Sequence, residues 1–234
     1  MSTLTLLDEE LALLVPSLGP RPWLDALSDD DHDAVLVGSA RSLLVRGLAR
    51  GGRDGLEPFG DAAGLLAHLV APGREVHLQV VLDGVRQPDR TVLRPLRSGE
   101  VLVHDTSPDG VHLLSLLTAA EAREQLSAAL DPHGVTRGAG AQTGATAVVR
   151  VRTADADAGA DADADADADA QADPAGCSAV VEEVAVSHGD VLGRGRVADA
   201  PPGRAAPSGP EVALTLLDAA ALARWVEELL AGAG

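Results

Sequence analysis

Three of the seven histidines fall on stretches whose apolar alternation predicts β-strands: His77, His104 and His112. A hairpin turning through Ser107-Pro108-Asp109-Gly110 sets His104 opposite His112. If His77 lay on the same face of a neighbouring strand, three imidazoles would fill three of the four positions around a zinc ion. No acidic second shell for them is identifiable in the sequence, and half-buried sheet histidines give the same pattern. The expectation is therefore no metal.

Other reactive groups are scarce. Cys177 is the sole cysteine, which excludes an intramolecular disulfide and a thiolate metal cluster; at a strand edge it reads as an inert thiol. All 18 basic residues are arginine, so a Schiff-base lysine and a P-loop lysine are excluded. There is no Gly-x-Ser-x-Gly elbow, and Gly193-Arg194-Gly195-Arg196 is not followed by a helix that would make it a dinucleotide loop. His32 sits among Asp30, Asp31 and Asp33 at a helix start, where a solvated charged face is expected. The Asp-Ala run of residues 154–174 offers carboxylates, but a calcium loop counted from Asp161 has Ala166 and Ala172 where glycine and glutamate are required. Read this way, the chain is not an enzyme and carries no cofactor.

Charge narrows the partners. The formal net charge is −18, and removing the eight aspartates of residues 154–174 still leaves −10. An acidic body repels phosphate, so nucleic acid and anionic membrane surfaces are not expected partners. The opening MSTLTLLDEELALLV lacks a basic n-region and carries Asp8, Glu9 and Glu10, unlike a signal peptide, and no apolar run has the length of a membrane span. A cytoplasmic location follows as an expectation. The absence of Ile, Asn, Lys and Tyr points to a GC-rich genome of the actinobacterial kind.

The elements that would position these residues come in two matching series. Residues 115–130, SLLTAAEAREQLSAAL, and residues 215–230, TLLDAAALARWVEELL, each pass from an apolar strand through an N-cap (Thr118, Asp218) into an amphipathic helix. Thr118 and Glu121 form a capping box, and Thr5 to Leu11 is a shorter echo. Strands are predicted near 75–82, 91–96, 100–104 and 111–117, and again near 146–152, 178–187, 190–198 and 211–217. Each half is thus four strands and a helix, and the short connections favour antiparallel neighbours. The predicted organisation is an N-terminal α+β half (1–130), a linker (131–145) and a C-terminal α+β half (146–234) with a disordered Asp-Ala insertion at 154–174. Residues 201–210 read as a flexible loop.

The first half also carries a helical preface, with helices over 29–46 and 57–70. Ser28 caps the first, and Gly47 ends it in the left-handed conformation. Two helices before strands also suggest a winged-helix DNA reader using Arg41, Arg46, Arg50 and Arg53, and this is the alternative function; the surrounding acids argue against it. Trp225, beside Val226, Leu229 and Leu230, marks either core packing or an exposed docking surface. Trp23 reads as pinning a loop to the body.

The order of elements resembles the EspG family of ESX (type VII) secretion-associated proteins. The resemblance rests on an opening strand and helix (Leu4 to Leu18), a helix ending Arg46-Gly47-Leu48, and a short helix closing on Leu69-Val70-Ala71-Pro72-Gly73. Sheet strands, the Thr118-capped helix and a second set of strands and helix follow. It implies a central antiparallel β-sheet flanked by helices, internally duplicated with quasi-two-fold symmetry. It further implies a cofactor-free cytoplasmic chaperone that binds a helical secretion substrate of PE/PPE-like or WXG-like type. Family contacts come from the loop joining the first two sheet strands and from the C-terminal helical region. Here the expected binding residues are Val85, Arg86, Gln87 and Pro88 in a short hairpin loop, with Trp225 and Leu229 on the last helix. The second-half counterpart of the helical preface is missing from the sequence.

Overall fold

The computed structural model describes residues 2–18, 24, 27–53, 55–71, 73–82, 85–86, 90–138, 145–154, 177–188, 190–196 and 214–231. Trp23, Gln87, Pro88, most of the Asp-Ala run and residues 201–210 lie outside them. The chain is α+β, as expected. A ten-stranded sheet contains β1 (Thr3–Leu7), β4 (Arg74–Leu82), β5 (Val85–Arg86), β6 (Arg90–Pro95), β7 (Glu100–Thr106), β8 (Val111–Thr118), β9 (Ala145–Ala154), β10 (Cys177–His188), β11 (Val191–Arg196) and β12 (Thr215–Leu217). β2 (Ala49–Gly51) and β3 (Leu56–Pro58) form a separate pair. The helices are α1 (Asp8–Leu14), α2 (Asp29–Val45), α3 (Asp61–Val70), α4 (Ala119–Leu130) and α5 (Ala219–Leu230).

The sheet runs β1-β8-β7-β6-β4-β9-β10-β11-β12, with every pair antiparallel and β5 added to β4. β4 and β9, the first strands of the two predicted four-strand series, meet at the centre, where Leu78 faces Val149. From that pair the register matches outward on both sides. On one side His77 pairs with Val92 and Val92 with His104. On the other, Val148 pairs with Val184 and Val184 with Gly195. The rows Arg94–Leu102–Leu116 and Val186–Gly193–Leu216 correspond in the same way.

Each face of the sheet carries its own core. On one face α4 and α5 lie side by side, and Leu126, Leu130, Leu222, Trp225 and Leu229 pack on Val76, Leu78, Leu93 and Val103. The stripe on α5 is Leu222, Trp225, Val226 and Leu229, spaced for one helical face. Burying each such side chain contributes about 1.5–3 kcal/mol. On the opposite face α1 and α3 cover β1, β7 and β8, with Leu11, Leu65, Leu66 and Leu69 against Leu6, Leu102 and Leu114.

The caps behave as the sequence predicts. Ser28 accepts from the Asp31 amide, Thr118 and Glu121 complete a capping box, and Asp218 accepts from the Ala221 amide. Gly47 takes φ 69°, closing α2. The helix expected over 57–70 begins only at Asp61. Leu56–Pro58 is drawn instead into pairing with Ala49–Gly51, and Gly60, at φ 60°, turns the chain into the helix. β12 is described only over Thr215–Leu217 of the 211–217 expected.

Candidate functional site

The first-half sheet face, where the helices stop, holds an open groove of about 660 Å³. Its floor is polar: Glu75, His77 and Gln79 from β4, Arg90 and Arg94 from β6, His104 and Thr106 from β7, and His112 from β8. Leu11 and Leu69 contribute apolar walls. Strand alternation puts these side chains on one face, because His77, Val92 and His104 stand in one cross-strand row.

The histidines fall into two separate networks. His104 Nε2 lies 2.8 Å from His112 Nδ1, and the Thr106 hydroxyl lies 3.3 and 3.4 Å from the same two nitrogens. His112 is 6% exposed, and its Nε2 lies 2.6 Å from Asp8 Oδ1. The carboxylate accepts from His112 Nε2–H, and one ring proton bridges His112 Nδ1 and His104 Nε2. Asp8 is held in place by its own amide, which donates to the Gly110 carbonyl at 2.9 Å. Gly110 makes this possible. It has φ 72°, and a Cβ there would sit 2.5 Å from Asp8 Oδ2.

His77 belongs to the second network, with its Nε2 2.6 Å from Glu75 Oε2, while the other oxygen of Glu75 is bound by Arg94. Arg94 Nη1 also donates to the Ala71 carbonyl at 3.1 Å. Burial pushes the Arg94 guanidinium below its ordinary value, and Glu75 opposes that shift.

His104 and His112 meet across the hairpin diagonally rather than directly opposite, because the register pairs His112 with Thr106 and His104 with Leu114. His77 shares their face but stands two strands away, with Val92 between, so the three imidazoles do not converge. Among the described residues no group of three or more His, Cys, Asp or Glu is arranged to hold a metal. The acidic partners invisible in the sequence are Asp8, 104 residues from His112, and Glu75, two residues from His77 on the same strand face. The only alternation signal that could have found Glu75 was its i, i+2 spacing. The groove presents polar side chains between apolar walls.

The residues expected to bind a partner divide differently. Val85 and Arg86 form β5, opposite Leu82 and Val81, at the end of β4 where Gln79, Arg90 and Thr106 lie. Gln87 and Pro88 are outside the described residues. Trp225 and Leu229 are 1% and 2% exposed, so neither is on a docking surface; both are core residues. The reason is a buried polar anchor that the sequence did not reveal. The Trp225 indole N–H donates to Glu183 Oε2 at 2.7 Å, and Glu183 is 7% exposed. Arg194 Nη2 reaches both Glu183 oxygens at 2.8 and 3.0 Å, and its guanidinium stacks 4.7 Å from the Trp225 ring. Glu228 binds the other Arg194 nitrogen at 3.1 Å, so α5 is clamped to β10 and β11.

A second buried acid fixes the helical preface. Glu10, 1% exposed, accepts from the Leu7 amide, from the Ser42 hydroxyl at 2.7 Å and from Arg46 Nη1 at 2.8 and 2.9 Å. Of the arginines proposed for DNA, Arg46 is therefore tied to α1, and Arg50 pairs with Glu57 at 3.3 Å. No helix among the described residues is long and apolar enough to cross a membrane. No protein-family model matches this sequence, and no curated protein matches it.

Proposed function

We propose that this chain is a cytoplasmic EspG-like chaperone or adaptor that binds a helical substrate of a type VII secretion system and performs no catalysis of its own. The sheet carries this reading. The resemblance implies a quasi-two-fold antiparallel sheet flanked by helices, and the register symmetric about Leu78 and Val149 supports it. The groove of His77, His104 and His112 lies on the face of β4 and β6, with β5 (Val85–Arg86) paired to the end of β4 beyond it. A polar floor with apolar walls fits a protein partner that brings both kinds of contact. Val85, Arg86, Gln87 and Pro88 remain the proposed rim of the contact, while Trp225 and Leu229 support it from within.

The test is deletion of the gene in its native host. Loss of a PE/PPE-like or WXG-like protein from the soluble fraction, restored by the wild-type chain, is the expected result. An unchanged set of soluble and secreted type VII proteins refutes the role.

A further inference from the structure

The two halves of the sheet differ on one face in a way that their matched register exposes. Leu102 and Leu116 in the first half correspond to Gly193 and Leu216 in the second. Leu116 is half-buried against the core beneath the helical preface, whereas its counterpart Leu216 is 69% exposed. Around Leu216 on the same face stand Val191 at 44% and Leu214 at 47% exposure, with Val186 half-buried. Gly193 lies between them, and Leu214 comes so close that a Cβ at Gly193 would meet it at 3.2 Å. The result is a shallow aliphatic trough over β10, β11 and β12. The described helices of the preface pack instead on β1, β7 and β8.

We infer that this trough is the seat of an amphipathic helix with a basic polar face, supplied by the partner protein. The inference rests on the chaperone reading and locates its second contact. Two observations choose the occupant. In the first half of the same sheet, the matching row is covered by amphipathic helices whose leucines, Leu11 and Leu69 among them, meet Leu102 and Leu114. An aliphatic row of this register is therefore closed by a helix laid across it. Charge selects the polar face of that helix. The chain carries −18, and Asp190 is exposed beside Val191. Such a field attracts a cationic helix and repels a second copy of this chain.

The probe is a fluorescein-labelled 18-residue peptide with leucine on one helical face and arginine on the other, followed by anisotropy against the full chain. Its twin has glutamate in place of arginine. The arginine peptide is expected to bind, and Leu216→Glu and Val191→Glu are each expected to weaken it at least about ten-fold. Val45→Glu, on α2 at an exposed apolar position, is expected to leave it within about two-fold. The sign is diagnostic, because an added carboxylate strengthens binding that is electrostatic alone. Unchanged or tighter binding by Leu216→Glu overturns the inference, as does equal binding of the glutamate twin or no binding to the wild-type chain. A dimer that Leu216→Glu dissociates would also overturn it, since the occupant would then be a second copy. Co-purification of the native partner with Leu216→Glu at wild-type yield leaves the chaperone reading standing and removes this surface alone.

Discussion

Replacing Trp225 by phenylalanine keeps most of the ring volume at the centre of the α5 stripe and removes one donor from a buried carboxylate. Glu183 then retains Arg194 but loses the 2.7 Å indole contact. A hydrogen bond to a charged group is worth about 1.5–3 kcal/mol. Arg194 also loses the larger indole face at 4.7 Å, at a cost of about 0.5–1 kcal/mol. The sum is about 2–4 kcal/mol. For a chain of this size each kcal/mol lowers Tm by about 2–4 °C, so the drop should fall between about 4 and 16 °C. The assay is thermal and urea unfolding of Trp225→Phe, Glu183→Gln and the double variant. If the indole acts through Glu183, the two changes couple by more than about 0.5 kcal/mol in the cycle. A Trp225→Phe penalty identical in the Glu183→Gln background would refute the anchor, and a penalty near zero would refute the burial of Trp225 itself.

Three further outcomes follow from the same geometry. Glu10→Ala removes an acceptor shared by Leu7, Ser42 and Arg46, and should cost about 3 kcal/mol in urea unfolding while releasing α1 from α2 in amide exchange. Gly110→Ala combines strain at φ 72° with a clash against Asp8; it should cost at least about 1 kcal/mol and shift the His112 ring resonances as the Asp8 contact is lost. Glu121 is held below the ordinary glutamate value by the Thr118 amide and hydroxyl. A depressed carboxyl contributes stability above its unfolded value and loses it as pH falls through the folded one. The urea midpoint difference between wild type and Glu121→Gln should therefore be constant near neutrality and shrink as pH falls through the acid range below about 4.5.

Much of the fold was legible because it is written in local terms. Ser28, Thr118 and Asp218 announced helix starts, and alternating leucines and valines announced strands. The repeated strand-cap-helix phrase at 115–130 and 215–230 folds both times as a strand followed by a capped helix, β8 into α4 and β12 into α5. What remained hidden depends on register between distant segments. Nothing near His112 in sequence names Asp8, and nothing near Trp225 names Glu183, 42 residues earlier. Glu57 and Pro58 were read as helix because their pairing with Ala49–Gly51 is a tertiary choice that no local signal announces. The position of His77 relative to His104 depends on strand order in the same way: β6 lies between their strands. Trp225 and Leu216 illustrate the limit on surfaces. Both are apolar residues at the end of the chain, yet one is 1% and the other 69% exposed, and only the stacking of α5 on a single sheet face decides which.

The central claim is that this chain functions by holding another protein. Its most direct measurement is affinity purification of the tagged chain from its native host, with mass spectrometry of what co-elutes and its stoichiometry. Near-equimolar recovery of a helical type VII secretion substrate is the expected result. Recovery of the chain alone, from cells shown to express such a system and its substrates, would contradict it.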